Sequence, residues 1–290
     1  LNDDEEDNKK NKKKKYDDKF ELGEIDITIP KGVIVGLIGE NGSGKTTLIK
    51  LMLNIIKSDN GEIKIFGKDN KRKEKEIKED IGVVLDNMFF PELLNAKDIN
   101  NSMKDIYKNW DSKLYFSYLK EFDLPDNKSL KSMSKGMRKK LEIATALAHK
   151  PKLLILDEPT SGLDPVIRNE VLDIFQKFIE DEEHGVLLST HITSDLEHIA
   201  DEIIFIDKGK KVLQKSRDEI IDNYGILKCD IDYFSNIDKK DIITYKKTKY
   251  AYEILVDDKE KTSKKYPSCV IDKITLEDLM VLVIKGEKVC

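Results

Sequence analysis

Apolar positions between residues 24 and 216 follow two spacings that take turns along the chain. The runs VIVGLI (33–38), IGVVL (81–85), KLLIL (152–156), GVLLST (185–190) and EIIFID (202–207) are almost continuously apolar, as strands buried on both faces are. EIDITI (24–29) alternates like a half-exposed strand, KKVLQK (210–215) predicts a further strand, and DNGEIKIFG (59–67) places an Asn-Gly turn before a short one. Between these runs the apolar residues recur at helical spacing: Leu48, Leu51, Met52 and Ile55; Met137, Leu141, Ala144 and Ala148; Ile167, Val171, Ile174 and Phe178. KRKEKEIKED (71–80) reads as a charged surface segment, and residues 88 to about 130, with Trp110 in their midst, as mostly helical. Strands alternating with helices predict an α/β nucleotide-binding domain interrupted by a helical insert.

Beyond Gly225 the pattern changes to short Tyr- and Ile-rich runs, IITYKK and YAYEILV, followed by the helix-like TLEDLMVLVIKG. This predicts a small α+β appendage over 225–290, after a main domain over 16–224 with its insert at about 88–150. Residues 1–15 join an acidic run to a basic one with no apolar residue between them, and are expected to be solvated or disordered.

Charge and cysteine content narrow the function. The net charge is −5, with acidic and basic residues interspersed, which gives no general drive toward nucleic acid. Cys229, Cys269 and Cys290 lack metal-ligand spacing and read as structural thiols of a reducing compartment. No apolar stretch approaches the ~18–20 residues that span a bilayer. Work at a membrane would need a second chain to supply the membrane part.

Candidate chemistry begins at GENGSGKTT (39–47), which fits G-x-x-x-x-G-K-[ST] through Gly39, Gly44, Lys45 and Thr46 and lies between a predicted buried strand and a predicted helix. Backbone N–H groups can turn inward around phosphate oxygens only where no side chain clashes, and the helix N-terminus adds partial positive charge. Lys45 would reach the β- and γ-phosphates and the Thr46 hydroxyl would ligate Mg²⁺. Asn41, Gly42, Ser43 and Thr47 complete the candidate nucleotide loop. The loop alone does not separate kinases, GTPases and transport ATPases.

LLILDEPTSGLDP (153–165) carries more information. Its apolar run ends in Asp157, whose carboxylate at a strand's C-terminal edge can hold Mg²⁺ through water, and Glu158 beside it can polarise an attacking water. Asp164 before Pro165 also suits an acidic helix cap.

Together these segments resemble the ATP-binding-cassette (ABC) ATPases over roughly residues 16 to 220, within them the single-cassette bacterial subunits of ABC-2 exporters. The resemblance implies an ABC core with an antiparallel β subdomain. The segment MSKGMRKKLEIATAL is similar to the family's signature, with Ser134 and Gly136 opening a helix and Lys135 in place of its usual first glycine. By the same resemblance SGLD (161–164), ending in Asp164, crosses a dimer interface. His191 in STHITSD matches the switch histidine that contacts the γ-phosphate, and Tyr16 the aromatic that stacks on adenine. A glutamine usually follows the strand IGVVL; here Asp86 stands there, read as a nucleotide and Mg²⁺ contact, with Asn87 as the alternative. Met88, Phe89, Phe90 and Leu93 lie where short permease helices would dock, and serve equally as core residues.

The resemblance implies ATP and Mg²⁺ as ligands, and a second ABC ATPase subunit, a second copy of this chain in the first instance, as partner. It further implies separately encoded integral membrane permease subunits. The chain would sit in the cytoplasm on the inner face of the cell membrane, hydrolysing ATP to drive export of an antibiotic, peptide or lipid. The competing reading is a soluble ABC ATPase acting on ribosomes or DNA; its relatives carry two cassettes or long coiled coils, neither of which this sequence has.

Overall fold

In the computed structural model residues 22–23, 25–86 and 90–288 are described. The chain enters the main sheet with β1 (Ile34–Ile38), whose five residues are all buried, and turns through the glycine loop into α1 (Lys45–Met52). A small hairpin of β2 (Lys64–Ile65) and β3 (Lys68–Asp69) follows, then α2 (Glu74–Glu79) and β4 (Ile81–Val84). The helical stretch holds α3 (Ala96–Ile106), α4 (Ser112–Glu121) and α5 (Lys135–Leu147). Next come β5 (Leu153–Asp157), α6 (Pro165–Phe178), β6 (Gly185–Thr190), α7 (Thr193–Ile199), β7 (Glu202–Asp207) and β8 (Lys210–Ser216). The remainder is α8 (Arg217–Asn223), β9 (Gly225–Asp230), β10 (Thr244–Lys247), β11 (Ala251–Val256), α9 (Lys259–Lys265), β12 (Val270–Lys273) and α10 (Leu276–Lys285).

Strand order in the main sheet is β4-β5-β6-β1-β7-β8. All neighbours pair in parallel except β7 and β8, which are antiparallel. Parallel strands covered by helices on both faces explain why the runs are apolar throughout: Leu154, Ile155 and Leu156 on β5 are each at most 1% exposed. Burying such a side chain stabilises the fold by roughly 1.5–3 kcal/mol. One core cluster packs α3, α4, α5 and α6 on one face, through residues such as Tyr115, Leu141 and Phe175; another packs α1 and the β2–β3 hairpin on the other, through Leu48, Ile49 and Ile65.

The order matters more than the count. Because β5, β6 and β1 are neighbours, the loops leaving their C-terminal ends share one edge, the position where open α/β sheets bind ligands. The register aligns them, with Asp157 opposite Ser189 and Ile38 opposite Thr190.

The last part of the chain forms a separate antiparallel sheet, β10-β11-β9-β12. Leu255, Ile274, Leu276, Leu279 and Leu282 join the cluster that contains Leu196 and Ile199 of α7. The Leu276 amide, at the start of α10, donates to Glu197 Oε1 on α7 at 2.7 Å. The opposite face is filled by Leu227, Cys229, Ile254, Val256 and Tyr266.

One local expectation needs correction, and three others gain detail. Residues 25–29 form no strand ladder: Gln214 Nε2 donates to the Thr28 carbonyl at 3.0 Å and Lys211 Nζ to that of Asp26, so side chains take backbone acceptors that a neighbouring strand would use. Their alternation is nevertheless read correctly, since Ile25, Ile27 and Ile29 all pack on the core. The hairpin turns at Phe66 and Gly67, with φ of 53° and 73°, a pair of left-handed residues as a two-residue turn of this twist requires. Asn60-Gly61 lies upstream of β2 as an approach turn. The charged 71–80 segment contains α2, anchored by one buried residue, Ile77. Cys229 and Cys269, distant in sequence, share one apolar cluster as free thiols, and burial raises the Cys229 thiol to about 11. Cys290 lies outside the described residues.

Candidate functional site

The glycine loop is built by crowding as much as by flexibility. Gly42 and Gly44 adopt φ of 83° and 114°, conformations that strain any residue with a Cβ. A Cβ on Gly39 would lie 2.2 Å from the Ile206 carbonyl oxygen and 2.6 Å from Ser43 Oγ, so only glycine fits. No side chain caps α1, whose first amides are left for a ligand. Lys45 is 6% exposed and donates from Nζ to the carbonyls of Gly39 at 2.7 Å and Glu40 at 3.2 Å. Burial pushes its pKa down, opposed by the negative charges of Glu158 and Asp157. Ser43 Oγ is buried without a hydrogen-bond partner. Asn41 and Gly42 are exposed at the loop's tip, and Thr47 is half-buried in the first turn of α1.

Thr46 Oγ1 donates to Asp157 Oδ2 at 2.8 Å, joining the loop to the end of β5. Asp157 is 2% exposed, and its Oδ1 is buried with no hydrogen bond. An unpaired buried carboxylate oxygen is costly, and a hydroxyl plus one carboxylate is the hard oxygen donor set that Mg²⁺ takes together with phosphate and water. Thr46 and Asp157 therefore fit this cation. Among the described residues no cluster of three or more His, Cys, Asp or Glu could hold a metal unaided.

Glu158 follows with φ 52°, a left-handed conformation that costs a residue with a Cβ about 1–2 kcal/mol. Its amide donates to the Ser189 carbonyl at 2.8 Å, and this fixes its side chain at the edge of the sheet. His191, which follows β6, places Nδ1 2.8 Å from Glu158 Oε2, and Thr190 Oγ1 lies 3.5 Å from the same oxygen. A carboxylate held by a histidine, beside a lysine and a phosphate loop, can orient and deprotonate a water.

Asp86 is exposed two residues past β4. The β4–β5 ladder ends at Val84 paired with Leu156, two residues before Asp86 and two before Glu158. Asp86 also adds to the burial that raises the Glu142 carboxyl, while Lys139, 2.7 Å away, opposes both.

Ser134 and Gly136 lie elsewhere. Ser134 Oγ caps α5 by accepting from the Met137 amide at 3.2 Å. Gly136 abuts α6 so closely that a Cβ there would sit 2.6 Å from Ile167 Cδ1. Among the described residues neither hydrogen-bonds to residues 39–47. Asp164 caps α6, accepting from the amides of Val166 and Ile167, both at 3.1 Å, with Pro165 preset in the first turn. Tyr16, Asn87, Met88 and Phe89 lie outside the described residues. Of the proposed docking residues, Phe90 packs on the core and Leu93 is 82% exposed.

Sequence reasoning missed buried Thr160 and Asp195 and half-buried Arg168, which form a cluster beside this edge. An acidic residue in the first turn of a helix reads as a solvated dipole partner, and nothing in the pattern marked Asp195 as fully buried.

A glycine loop between a buried strand and a helix, a Thr–Asp pair that fits Mg²⁺ and a Glu–His pair share one parallel-sheet edge, the arrangement of a nucleoside triphosphatase of the P-loop class. The sequence profile of the ABC transporter family matches residues 22–161. The lantibiotic transport ATP-binding protein SrtF of Streptococcus pyogenes is 35% identical over 199 residues, covering 68% of this chain and 85% of that protein. The bacitracin transport ATP-binding protein BcrA of Bacillus licheniformis is 35% identical over 200 residues, covering 67% and 64%. A bacterial ABC transporter cassette solved as a dimer superposes with a TM-score of 0.60 at 25% identity, over 67% of this chain and 90% of that one. The chain belongs to the ATP-binding proteins of ABC transporters, and its activity is ATP hydrolysis.

Proposed function

We propose that two copies of this chain close head to tail around ATP and drive a separately encoded membrane permease that exports an antibiotic, peptide or lipid. The observation that carries the two-copy reading is the separation of parts. Gly39–Thr47, Asp157, Glu158 and His191 gather on one edge, whereas exposed Ser134 caps α5 and Gly136 packs against Ile167 of α6. In a head-to-tail pair the Ser134–Gly136 amides of one copy face the phosphates bound by the other, with Asp164 at the seam between them.

In this reading the loop amides and Lys45 hold the β- and γ-phosphate oxygens. Glu158, oriented by His191, accepts a proton from the water that attacks the γ-phosphate, a contribution typically worth ~10²–10⁴ in rate. Thr46 and Asp157 would hold Mg²⁺, which supplies charge neutralisation on the phosphates. Hydrolysis removes the γ-phosphate that joins the two copies, so the chemistry becomes opening and closing of a dimer.

Support for transport comes from the relatives, whose names place them in lantibiotic and bacitracin transport. Among the described residues no helix is long and apolar enough to cross a membrane. Exposed Leu93, beside core-packed Phe90 and Leu94, is the surface proposed to receive it. Affinity capture of the intact chain from gently solubilised cells tests this: recovery of a multi-spanning membrane protein supports it, and recovery of ribosomes or DNA instead overturns it.

Asp86 is the departure with a consequence. A carboxylate just past β4, the strand that pairs with β5, repels a nearby phosphate unless a cation screens it. Asp86→Asn is expected to change ATP turnover by about threefold to tenfold, the scale of one partly screened unit charge. Steady-state hydrolysis measures it, and turnover within experimental error of wild type removes Asp86 from the mechanism.

A further inference from the structure

Asp195 is a fully buried carboxylate, its side chain 0% exposed, in the first turn of α7 and four residues past His191. Burying a charge costs far more than burying an amide, and it persists only where partners compensate. Both oxygens are engaged. Oδ2 accepts from Thr160 Oγ1 at 2.5 Å, and Thr160, itself 1% exposed, belongs to the loop that follows Glu158. Oδ1 accepts from Arg168 Nε in α6, while Arg168 Nη2 donates to Ser194 Oγ at 2.6 Å. One carboxylate thus ties together the loop after Glu158, the start of α6 and α7.

An adjoining side of α6 faces the signature helix. A Cβ on Gly136 would lie 2.6 Å from Cδ1 of Ile167, the residue before Arg168. Lys135, where the family's first glycine usually stands, lays its ammonium against Gly162 of the crossing loop, 2.5 Å from where a Cβ would sit. The path therefore runs from Gly136 against Ile167, along α6 to Arg168 and its bond to Asp195, then along the backbone, where the Asp195 amide donates to the Ile192 carbonyl at 3.1 Å, to His191 and its bond to Glu158.

We propose that Asp195, with Arg168 and Thr160, is a positioning cluster for hydrolysis: it holds the Glu158–His191 pair in register with the signature helix of the same chain. This rests on the two-copy reading, in which the signature helix touches the other chain's nucleotide. One chain then senses one ATP through Gly136 and acts on the other through Glu158. Contiguous packing alone does not establish such coupling, and a perturbation that spares binding while slowing turnover does.

Asp195→Asn keeps the shape and removes the charge. Assayed well below its melting temperature, it is expected to lower kcat by about 10–100-fold, the scale of a misplaced catalytic group, while KM for Mg·ATP stays within about threefold. Arg168→Gln is expected to act alike, Arg168→Lys to recover part of the loss by restoring a cation without the planar fork, and the double variant Arg168→Gln/Asp195→Asn to be no slower than the worse single one. Should Asp195→Asn fail to fold, Thr160→Val, which deletes one hydroxyl, carries the same expected kcat-against-KM split. A folded Asp195→Asn chain with wild-type kcat, or losses that multiply in the double variant, overturns the proposal. Its failure is distinguishable from that of the two-copy reading: Mg·ATP-dependent dimers of Glu158→Gln would still form if only the positioning cluster is wrong, and would be missing if the dimer is.

Discussion

Glu158→Gln is expected to reduce ATP hydrolysis by about 10²–10⁴-fold while leaving ATP bound. The carboxylate is fixed from two directions, by its amide on the Ser189 carbonyl and by His191 Nδ1 on Oε2. The amide side chain of Gln fills the same space and accepts the same histidine bond, but it cannot take a proton from water. The left-handed backbone at this position is unchanged, because Gln and Glu are equally strained there. Single-turnover hydrolysis separates the chemical step from product release. Wild-type rates in this variant would remove Glu158 from the reaction and leave its strained backbone without a functional reason.

Lys45→Ala is expected to weaken ATP binding by about 10²-fold and to bring hydrolysis below detection. A hydrogen bond to a charged group is worth about 1.5–3 kcal/mol, and Lys45 is placed to make more than one to the phosphates. Its effect on folding has a different sign. Burial depresses the Lys45 pKa, so the fold holds the ammonium at a cost rather than gaining from it. Its two hydrogen bonds go to loop carbonyls, and the attraction of Glu158 and Asp157 only partly offsets the burial. The variant should therefore keep its thermal midpoint within a few degrees while losing nucleotide, measured by calorimetry and equilibrium dialysis. Unchanged affinity for Mg·ATP would contradict the assignment of residues 39–47 as the phosphate loop.

How much of this was legible follows from what each feature needs. The central strands were readable because parallel strands covered on both faces must be apolar throughout: β1, β4, β6 and β7 fall within the apolar runs, and β5 passes its run by one residue, Asp157. The phosphate loop was readable because its glycines answer to steric demands visible in the spelling. Adjacency of β5, β6 and β1 was not, since strand order is a tertiary fact, and it is adjacency that brings Asp157, His191 and Lys45 to one edge. Residues 25–29 show the limit of alternation: it found the buried isoleucines and could not say that side chains of β8 would take the backbone acceptors. Asp195 shows the opposite limit. Its neighbours Thr193, Ser194 and Glu197 are polar, so nothing local announced a buried charge, and its partners Thr160 and Arg168 come from another segment of the chain. Capping of α5 by Ser134 and of α6 by Asp164 was open to local reading, but whether those helix ends also meet a nucleotide depends on a second molecule.

The central claim is that ATP joins two copies of this chain, each contributing half of the contacts. Sedimentation velocity of the Glu158→Gln chain, with and without saturating Mg·ATP, tests it most directly. The account predicts monomers without nucleotide and with Mg·ADP, and persistent dimers with Mg·ATP. A chain that binds Mg·ATP yet sediments as a monomer at every protein concentration used would contradict it.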